Sequence, residues 1–280
     1  MLQQREQDSH KGDYGNALLI GGSRGMAGAI ALAGMAAVRT GAGLVRLAVP
    51  DCCLETVAGY SPCPMLLPLP HDSQGRAIGL TDRVRDWLVK CDCVAIGPGL
   101  SRDDLVTELV ADVLRWIGLK NPDCPVVIDA DGLFALSNLP DWRQLFANPV
   151  VLTPHPGEWS RLCGVASENR QAQCESANIW AARWNCVILL KGHRTWITNG
   201  TSQIENATGT PAMATGGSGD VLTGIVTGLI CQGMNTLDAC QLGAFVHGLA
   251  GQIASQQLQL HVVLPTELIQ FLPTAFSKAV

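Results

Sequence analysis

Asp220 ends the small-residue run Asn206-Ala-Thr-Gly-Thr-Pro-Ala-Met-Ala-Thr-Gly-Gly-Ser-Gly-Asp220, which feeds straight into an apolar segment reaching Cys231. The glycines Gly216, Gly217 and Gly219 leave backbone amides bare where a helix begins. Unpaired N–H groups and the helix dipole together favour a negative guest at such a point, and a phosphate fits that description. Asp220 then puts a carboxylate beside the expected anion. One reading is a base that strips a proton from a hydroxyl being phosphorylated. The other is a residue that caps the helix and complements its dipole.

Further residues of chemical interest sit where apolar runs end. Asp129 and Asp131 flank Ala130 before Gly132, placed either to hold Mg2+ or its waters or simply to favour a turn. In Thr153-Pro-His-Pro-Gly-Glu158 two prolines fix the backbone around His155, which either contacts a ligand or bonds its own backbone. Glu158 falls in the first turn of the helix that follows, where its charge suits the dipole, and it receives no catalytic role. Lys191-Gly-His-Arg-Thr195 offers a cation and a hydroxyl beside a glycine, for a phosphate or as a hairpin turn with an exposed lysine. Gly97-Pro-Gly99 reads as a tight strand end. His247 and His261 are read as quiet. The segment from Gly21 to Gly28 fits no dinucleotide fingerprint, and the chain contains no G-x-x-x-x-G-K-[ST].

The elements that must position these residues alternate between short β-branched runs and longer stretches of helical period. Strands are expected at 17–21, 44–49, 94–97, 126–129, 150–153, 187–191 and 195–198, and helices at 27–40, 103–116, 168–184, 221–232, 237–256 and 266–277. That alternation predicts an α/β protein, a largely parallel sheet with helices on both faces. Ligands of such sheets lie outside the carboxyl ends of the strands, so five loops on one edge would converge on a single cleft.

The 280 residues show no linker or internal repeat, so a single domain spanning 1–280 is expected. A net charge of −5 without a Lys/Arg cluster argues against nucleic acid as a partner. The first ten residues are polar, unlike a secretory signal, and no apolar stretch approaches the length that spans a bilayer; a cytoplasmic protein without a membrane partner is expected. Eleven scattered cysteines without a C-x-x-C pair read as reduced and mostly buried.

Taken in chain order, His10–Gly15, Gly21–Ser23, Gly28-Ala29, Gly41–Arg46, Ile96–Leu100, Asp129–Gly132, Thr153–Glu158, Leu190–Gly192 and Gly216–Leu222 resemble the ADP-dependent NAD(P)H-hydrate dehydratases from about residue 10 to about 272. The resemblance implies a ribokinase-like three-layer α/β/α sandwich and a hydro-lyase that repairs the hydrated, inactive form of NADH or NADPH. It implies ADP as co-substrate, Mg2+ with the nucleotide, and release of AMP and phosphate once a phosphoryl group has made the ring hydroxyl a leaving group. Asp220 matches the residue acting on that hydroxyl. Ala29, Gly99, His155 and Asp220 fall on the hydrate-binding set, and Lys191, Gly192, His193, Arg194, Thr195 and Gly219 on the adenine-nucleotide set; metal ligands stay unassigned. Two departures, Thr210 and Ala212, stand where the family pattern has asparagine and glycine. With no epimerase domain before His10, the similarity is to the free-standing dehydratase, working beside a separate epimerase and assembled as a homo-oligomer, a tetramer in many members. A vitamin-precursor kinase of the same superfamily, or a nucleotide sensor without catalysis, would fit the same anion site.

Overall fold

Ala17 and Leu19 of β1 (Asn16–Ile20) belong to one apolar cluster and Leu18 and Ile20 to another, and all four are at most 1% exposed. Successive side chains of a strand point to opposite faces, so a strand apolar on both must be covered on both. The computed structural model describes residues 5–279, which leaves the first four residues of the polar amino-terminal decapeptide, and Val280, outside it. It repeats the β1 pattern in β2 (Leu44–Pro50), β4 (Cys93–Ile96), β5 (Val126–Ile128), β6 (Val150–Leu152) and β7 (Cys186–Leu190). With β3 (Met65–Leu69), β8 (Thr195–Thr198) and β9 (Gln203–Asn206) they form one sheet in the order β3-β2-β1-β4-β5-β6-β7-β8-β9. Pairing is parallel from β3 to β7, and β8 and β9 continue antiparallel.

One face is covered by α1 (Ala27–Thr40), α2 (Leu54–Tyr60), α8 (Ser218–Cys231), α9 (Thr236–Leu258) and α10 (Pro265–Ala279). The other carries α3 (Asp82–Leu88), α4 (Asp104–Lys120), α5 (Ala130–Asn138), α6 (Pro156–Cys163) and α7 (Arg170–Trp184). The expected α/β/α layering therefore holds. Each fully buried Leu, Ile or Val in these two cores contributes about 1.5–3 kcal/mol.

The expected strands and helices are present, shifted by a few residues at their ends. Two edge strands (β3, β9) and the short helices α2, α3, α5 and α6 extend the list, α6 being the helix whose first turn holds Glu158 as expected. Asp129-Ala-Asp-Gly132 is thus not a free turn: α5 begins at Ala130, whose φ is +47°. The small-residue helix α1 proves to be core, packed against α8. A Cβ on Gly224 would overlap the Ala33 carbonyl and lie 2.7 Å from the Ala36 Cβ, and one on Gly228 would lie 2.9 Å from the Ala37 carbonyl oxygen. Among the described residues no helix is long and apolar enough to cross a membrane.

Candidate active site

The carboxyl ends of β1, β4, β5, β6 and β7 share one edge, and their loops are tied to one another by backbone hydrogen bonds. Gly22 N–H donates to the Pro98 carbonyl at 2.8 Å, Asp129 N–H to Ile96 at 3.1 Å, Thr153 N–H to Ile128 at 3.2 Å and Lys191 N–H to Pro154 at 2.8 Å. The strand order reverses between β1 and β4, the kind of switch point where open α/β sheets bind ligands. There Ser23 Oγ donates to the Gly99 carbonyl at 2.8 Å, and Gly99 packs so close to Ala29 that a Cβ on it would stand 3.1 Å from the Ala29 methyl. The five loops do lie side by side on one edge.

Helix α8 opens onto this edge. Its N-cap is Gly217, at φ +94°, and no side chain caps it. The first-turn amides of Gly219 and Asp220 therefore stand at a helix end that no side chain neutralises, while Ser218 N–H donates to the Thr215 carbonyl at 3.4 Å. Gly217 lies against Leu32 of α1, and Gly219 approaches the Lys191 ammonium, so that a Cβ there would be 3.5 Å from Nζ. Asp220, half-buried in the same turn, has its pKa pushed up to about 7. Burial is the main cause, followed by repulsion from Asp129; Lys191 pulls the other way, and Asp131 and Glu158 add further repulsion.

Beneath that turn lies a charge network. Lys191 Nζ is 2.6 Å from Asp129 Oδ1 and 3.9 Å from Glu158 Oε2, and Thr223 Oγ1 donates to Asp129 Oδ2 at 2.6 Å. Burial opposes the charge on both members of the Lys191–Asp129 pair, yet each stabilises the other: the lysine is held above its ordinary pKa and the aspartate below. Glu158 is shifted upward by burial, with Lys191 restraining the shift and Asp129 adding to it. β7 and β8 do form a hairpin around Lys191, but the lysine side chain is only 17% exposed, so the exposed-lysine reading is overturned.

These commitments bear on metal binding. Asp131 accepts from the Ser101 amide at 2.9 Å and pairs with Arg102 Nε at 3.0 Å, and Asp129 is engaged at both oxygens. Among the described residues no group of three or more His, Cys, Asp or Glu side chains could hold a metal ion. The Asp129/Asp131 pair does not fit a resident Mg2+ site.

The remaining candidates divide. His155 is the N-cap of α6: its Nδ1 accepts from the amides of Gly157 at 3.0 Å and Glu158 at 3.3 Å, while Glu158 accepts from the His155 amide at 2.8 Å. The ring bonds its own backbone and still presents more than half its surface to solvent beside Glu158. In the β7–β8 turn, Gly192, His193 and Arg194 are exposed, and Arg194 pairs with Glu205 at 2.7 Å. Arg170 braces the turn from α7 through the carbonyls of Leu190, Lys191 and Arg194. Thr195 Oγ1 lies 3.4 Å from the Gly192 carbonyl. Thr210 caps the turn at Pro211–Met213, and the Ala212 carbonyl accepts from Val263, which anchors the departing loop. His247 reaches Ser218 in the first turn of α8, its Nε2 3.0 Å from the carbonyl; burial drops its pKa to about 4 and keeps it neutral. His261 is exposed.

Thr223 and the buried Glu158 were not singled out from sequence as site residues. The only signal for Thr223 was its place one helical turn after Asp220. Two clefts, of 590 and 730 Å3, lie elsewhere, one between β9, α9 and the end of α10 and one at the amino ends of β5–β7; neither includes a residue of the network.

A family model described as NAD(P)H-hydrate dehydratase matches residues 17–274. The bifunctional NAD(P)H-hydrate repair enzyme Nnr of Moorella thermoacetica is 43% identical over 97% of this chain and 51% of its own length. The chain spans about half the length of the first curated relatives it matches. The ADP-dependent (S)-NAD(P)H-hydrate dehydratase of Bacillus subtilis is 34% identical, with 99% of this chain and 94% of that protein covered. The crystal structure of the Bacillus subtilis ADP/ATP-dependent NAD(P)H-hydrate dehydratase, co-crystallised with ATP/Mg2+, superposes with a TM-score of 0.77 at 31% identity over 98% of this chain and 93% of that one. The fold is ribokinase-like.

Proposed function

The chain belongs to the NAD(P)H-hydrate dehydratase family, and on that premise we propose that it restores NADH or NADPH from the (S)-hydrate at the expense of ADP. Asp220 takes the proton of the ring hydroxyl as the hydroxyl oxygen attacks the terminal phosphorus of ADP. The bond from that phosphorus to the AMP oxygen breaks, and AMP keeps the electron pair. Phosphate then leaves the ring carbon with the C–O electrons, the neighbouring ring carbon releases H+ to water, and the C–H electron pair becomes the C=C bond of the restored reduced nicotinamide.

The observation that carries this reading is the half-buried Asp220 in the uncapped first turn of α8, with an ammonium beneath the same turn. The amides of that turn are aimed where the transferring phosphoryl group gains charge, and such preorganised donors act most strongly in a site that excludes water. With its pKa near 7, Asp220 is about half ionised at neutral pH, poised to accept a proton.

Ala29, Gly99 and His155 form the hydrate side of the rim, and Lys191 to Thr195 with Gly219 the nucleotide side. Any Mg2+ arriving with ADP would be held by the nucleotide phosphates and would offset their charge, because the nearby carboxylates are already engaged. A cytoplasmic homo-oligomer partnered by an epimerase completes the proposal.

The test is recovery of nicotinamide absorbance when purified protein meets hydrate, ADP and Mg2+, with an ATP arm beside it. AMP and phosphate formed one-to-one with NADH support dehydration. A stable phosphorylated alcohol made from ATP would replace this reading with a kinase, and tight ADP binding without turnover would replace it with a sensor.

A further inference from the structure

Asp129 stands at the N-cap of α5, the position where an aspartate ordinarily accepts hydrogen bonds from its own helix, yet its side chain makes no capping bond. Instead the carboxylate turns across the sheet edge, 1% exposed, and divides its oxygens between two elements: Oδ1 to Lys191 at the end of β7, Oδ2 to Thr223 on α8, both at 2.6 Å. The backbone is shaped to hold it there. Ala130 is left-handed at φ +47°, and Gly97, at φ +134°, presses so closely on the Asp129 carbonyl that no Cβ would fit. Forgoing a cap and holding an alanine in the left-handed region both cost stability.

Thr223 is fully buried and lies three residues after Asp220, so both side chains lie on the same side of α8. The hydroxyl that meets Asp129 therefore fixes how far the Asp220 carboxylate stands from the sheet edge. The same Asp129 holds the Lys191 ammonium under Gly219.

We propose that Thr223 and Asp129 are positioning residues for the phosphoryl-transfer step: the Thr223–Asp129–Lys191 chain sets the spacing between the base on α8 and the cation on β7. The inference rests on the reading of Asp220 as base and deepens it. Neither residue touches substrate. Their work is to keep a base carried by a helix over one face of the sheet and a cation carried by a strand of the sheet itself within the tolerance that in-line transfer allows, where about 1 Å of misplacement can cost about 10²-fold.

Thr227 supplies an internal control. It lies one turn further along α8, is as fully buried, and spends its hydroxyl on the Thr223 carbonyl of its own helix. The groups that face Asp220 are Asp129 from the end of β5, Asp131 on α5, Glu158 on α6 and Lys191 from β7, with His247 of α9 reaching the same turn at Ser218. Only Asp129 among them is bonded both to α8 and to the cation.

The experiment pairs kinetics with titration. Thr223→Val is expected to lower kcat about tenfold or more while KM for the hydrate stays within about threefold; Thr223→Ser recovers kcat to within about threefold, and Thr227→Val matches wild type. Melting curves and ADP affinity of each variant report whether it is folded. In the ligand-free protein, the Asp220 carboxyl is followed by 13C NMR against pH, its signal assigned by its loss in Asp220→Asn. Asp129→Asn removes a repelling charge and releases the ammonium toward Asp220, so the Asp220 midpoint falls below its wild-type value. Thr223→Val changes no charge, so its Asp220 midpoint moves only if the carboxylate is displaced, and a purely structural role for Thr223 would leave it unmoved.

The proposal is overturned if folded Thr223→Val keeps wild-type kcat, if Thr227→Val loses as much as Thr223→Val, or if Thr223→Val or Asp129→Asn leaves the Asp220 midpoint in place. Absence of hydrate turnover by wild type would sink the functional reading alone, since the NMR arm decides the positioning chain without substrate.

Discussion

Replacing Asp220 by asparagine should make the protein more stable and almost inactive, and the two effects share one cause. Burial and neighbouring carboxylates push the Asp220 pKa from 3.8 to about 7, a rise of about 3 units. At 1.36 kcal/mol per unit that is up to about 4 kcal/mol of preference for the protonated form, discounted to about 1–3 kcal/mol because the side chain is partly solvated. The sign follows from proton counting. Between pH 3.8 and about 7 the folded chain holds a proton that the unfolded chain has released, so stability falls as pH rises through that window and stays low above it. Asparagine is always neutral. The variant should therefore gain about 1–3 kcal/mol over wild type at pH 8, or about 2–8 °C in Tm, and little or nothing at pH 4. Turnover should fall by about 10²-fold or more, since no proton acceptor remains. Calorimetry of the ligand-free proteins at the two pH values, beside nicotinamide absorbance in the presence of hydrate and ADP, reads both quantities. Undiminished turnover would refute the base, and a variant less stable than wild type at pH 8 would refute the electrostatic origin of its poise.

The pH–rate profile of wild type should lose activity below about pH 7 as Asp220 becomes protonated, an acid limb visible in kcat/KM for the hydrate. Lys191→Met would leave Asp129 buried without its cation and should cost about 3–5 kcal/mol in urea unfolding, with ADP affinity lost as well. Gly224→Ala drives a methyl into the Ala33 carbonyl and should cost about 1–3 kcal/mol, seen as a lowered Tm at unchanged Asp220 chemistry. Thiol labelling under native conditions should modify Cys52 and Cys63 first, because these are exposed, while burial holds Cys186, Cys231 and Cys240 well above the ordinary thiol range and unreactive.

The strands that carry the site were legible because each is a compact apolar run, β-branched in most cases, that gives out into a loop beginning with glycine, aspartate, threonine-proline or lysine-glycine. β3 was not: Met65-Leu-Leu-Pro-Leu69 contains Pro68, which argues against a strand until its place at the sheet edge is known, where a missing N–H is tolerated. β9, at the opposite edge, has Ile204 as its sole apolar residue and gives no periodic signal. Asp220 and the bare glycines were visible as a local pattern. The partners that tune them were not, since Lys191 meets Asp129 across 62 residues and Thr223 meets it across 94. Sequence spacing reports neighbours along a helix or loop, and a pair made by sheet order has no such signature. His155 shows the converse: the reading in which it bonds its own backbone is observed, and the same ring orientation leaves more than half of its surface open to solvent.

The seam between α1 and α8 has a mechanical corollary. The helix that follows the β1 loop and the helix that begins with the bare amides touch through Gly224 and Gly228, nearly backbone to backbone. They have no side-chain cushion to slide on, so the Ala29 and Asp220 ends of the cleft form a rigid cassette that does not hinge. Slow amide exchange should therefore run along the seam, and the adjustment that admits a guest should fall on the far bank, at the exposed residues of the β7–β8 turn, whose amides should exchange faster than those of the seam.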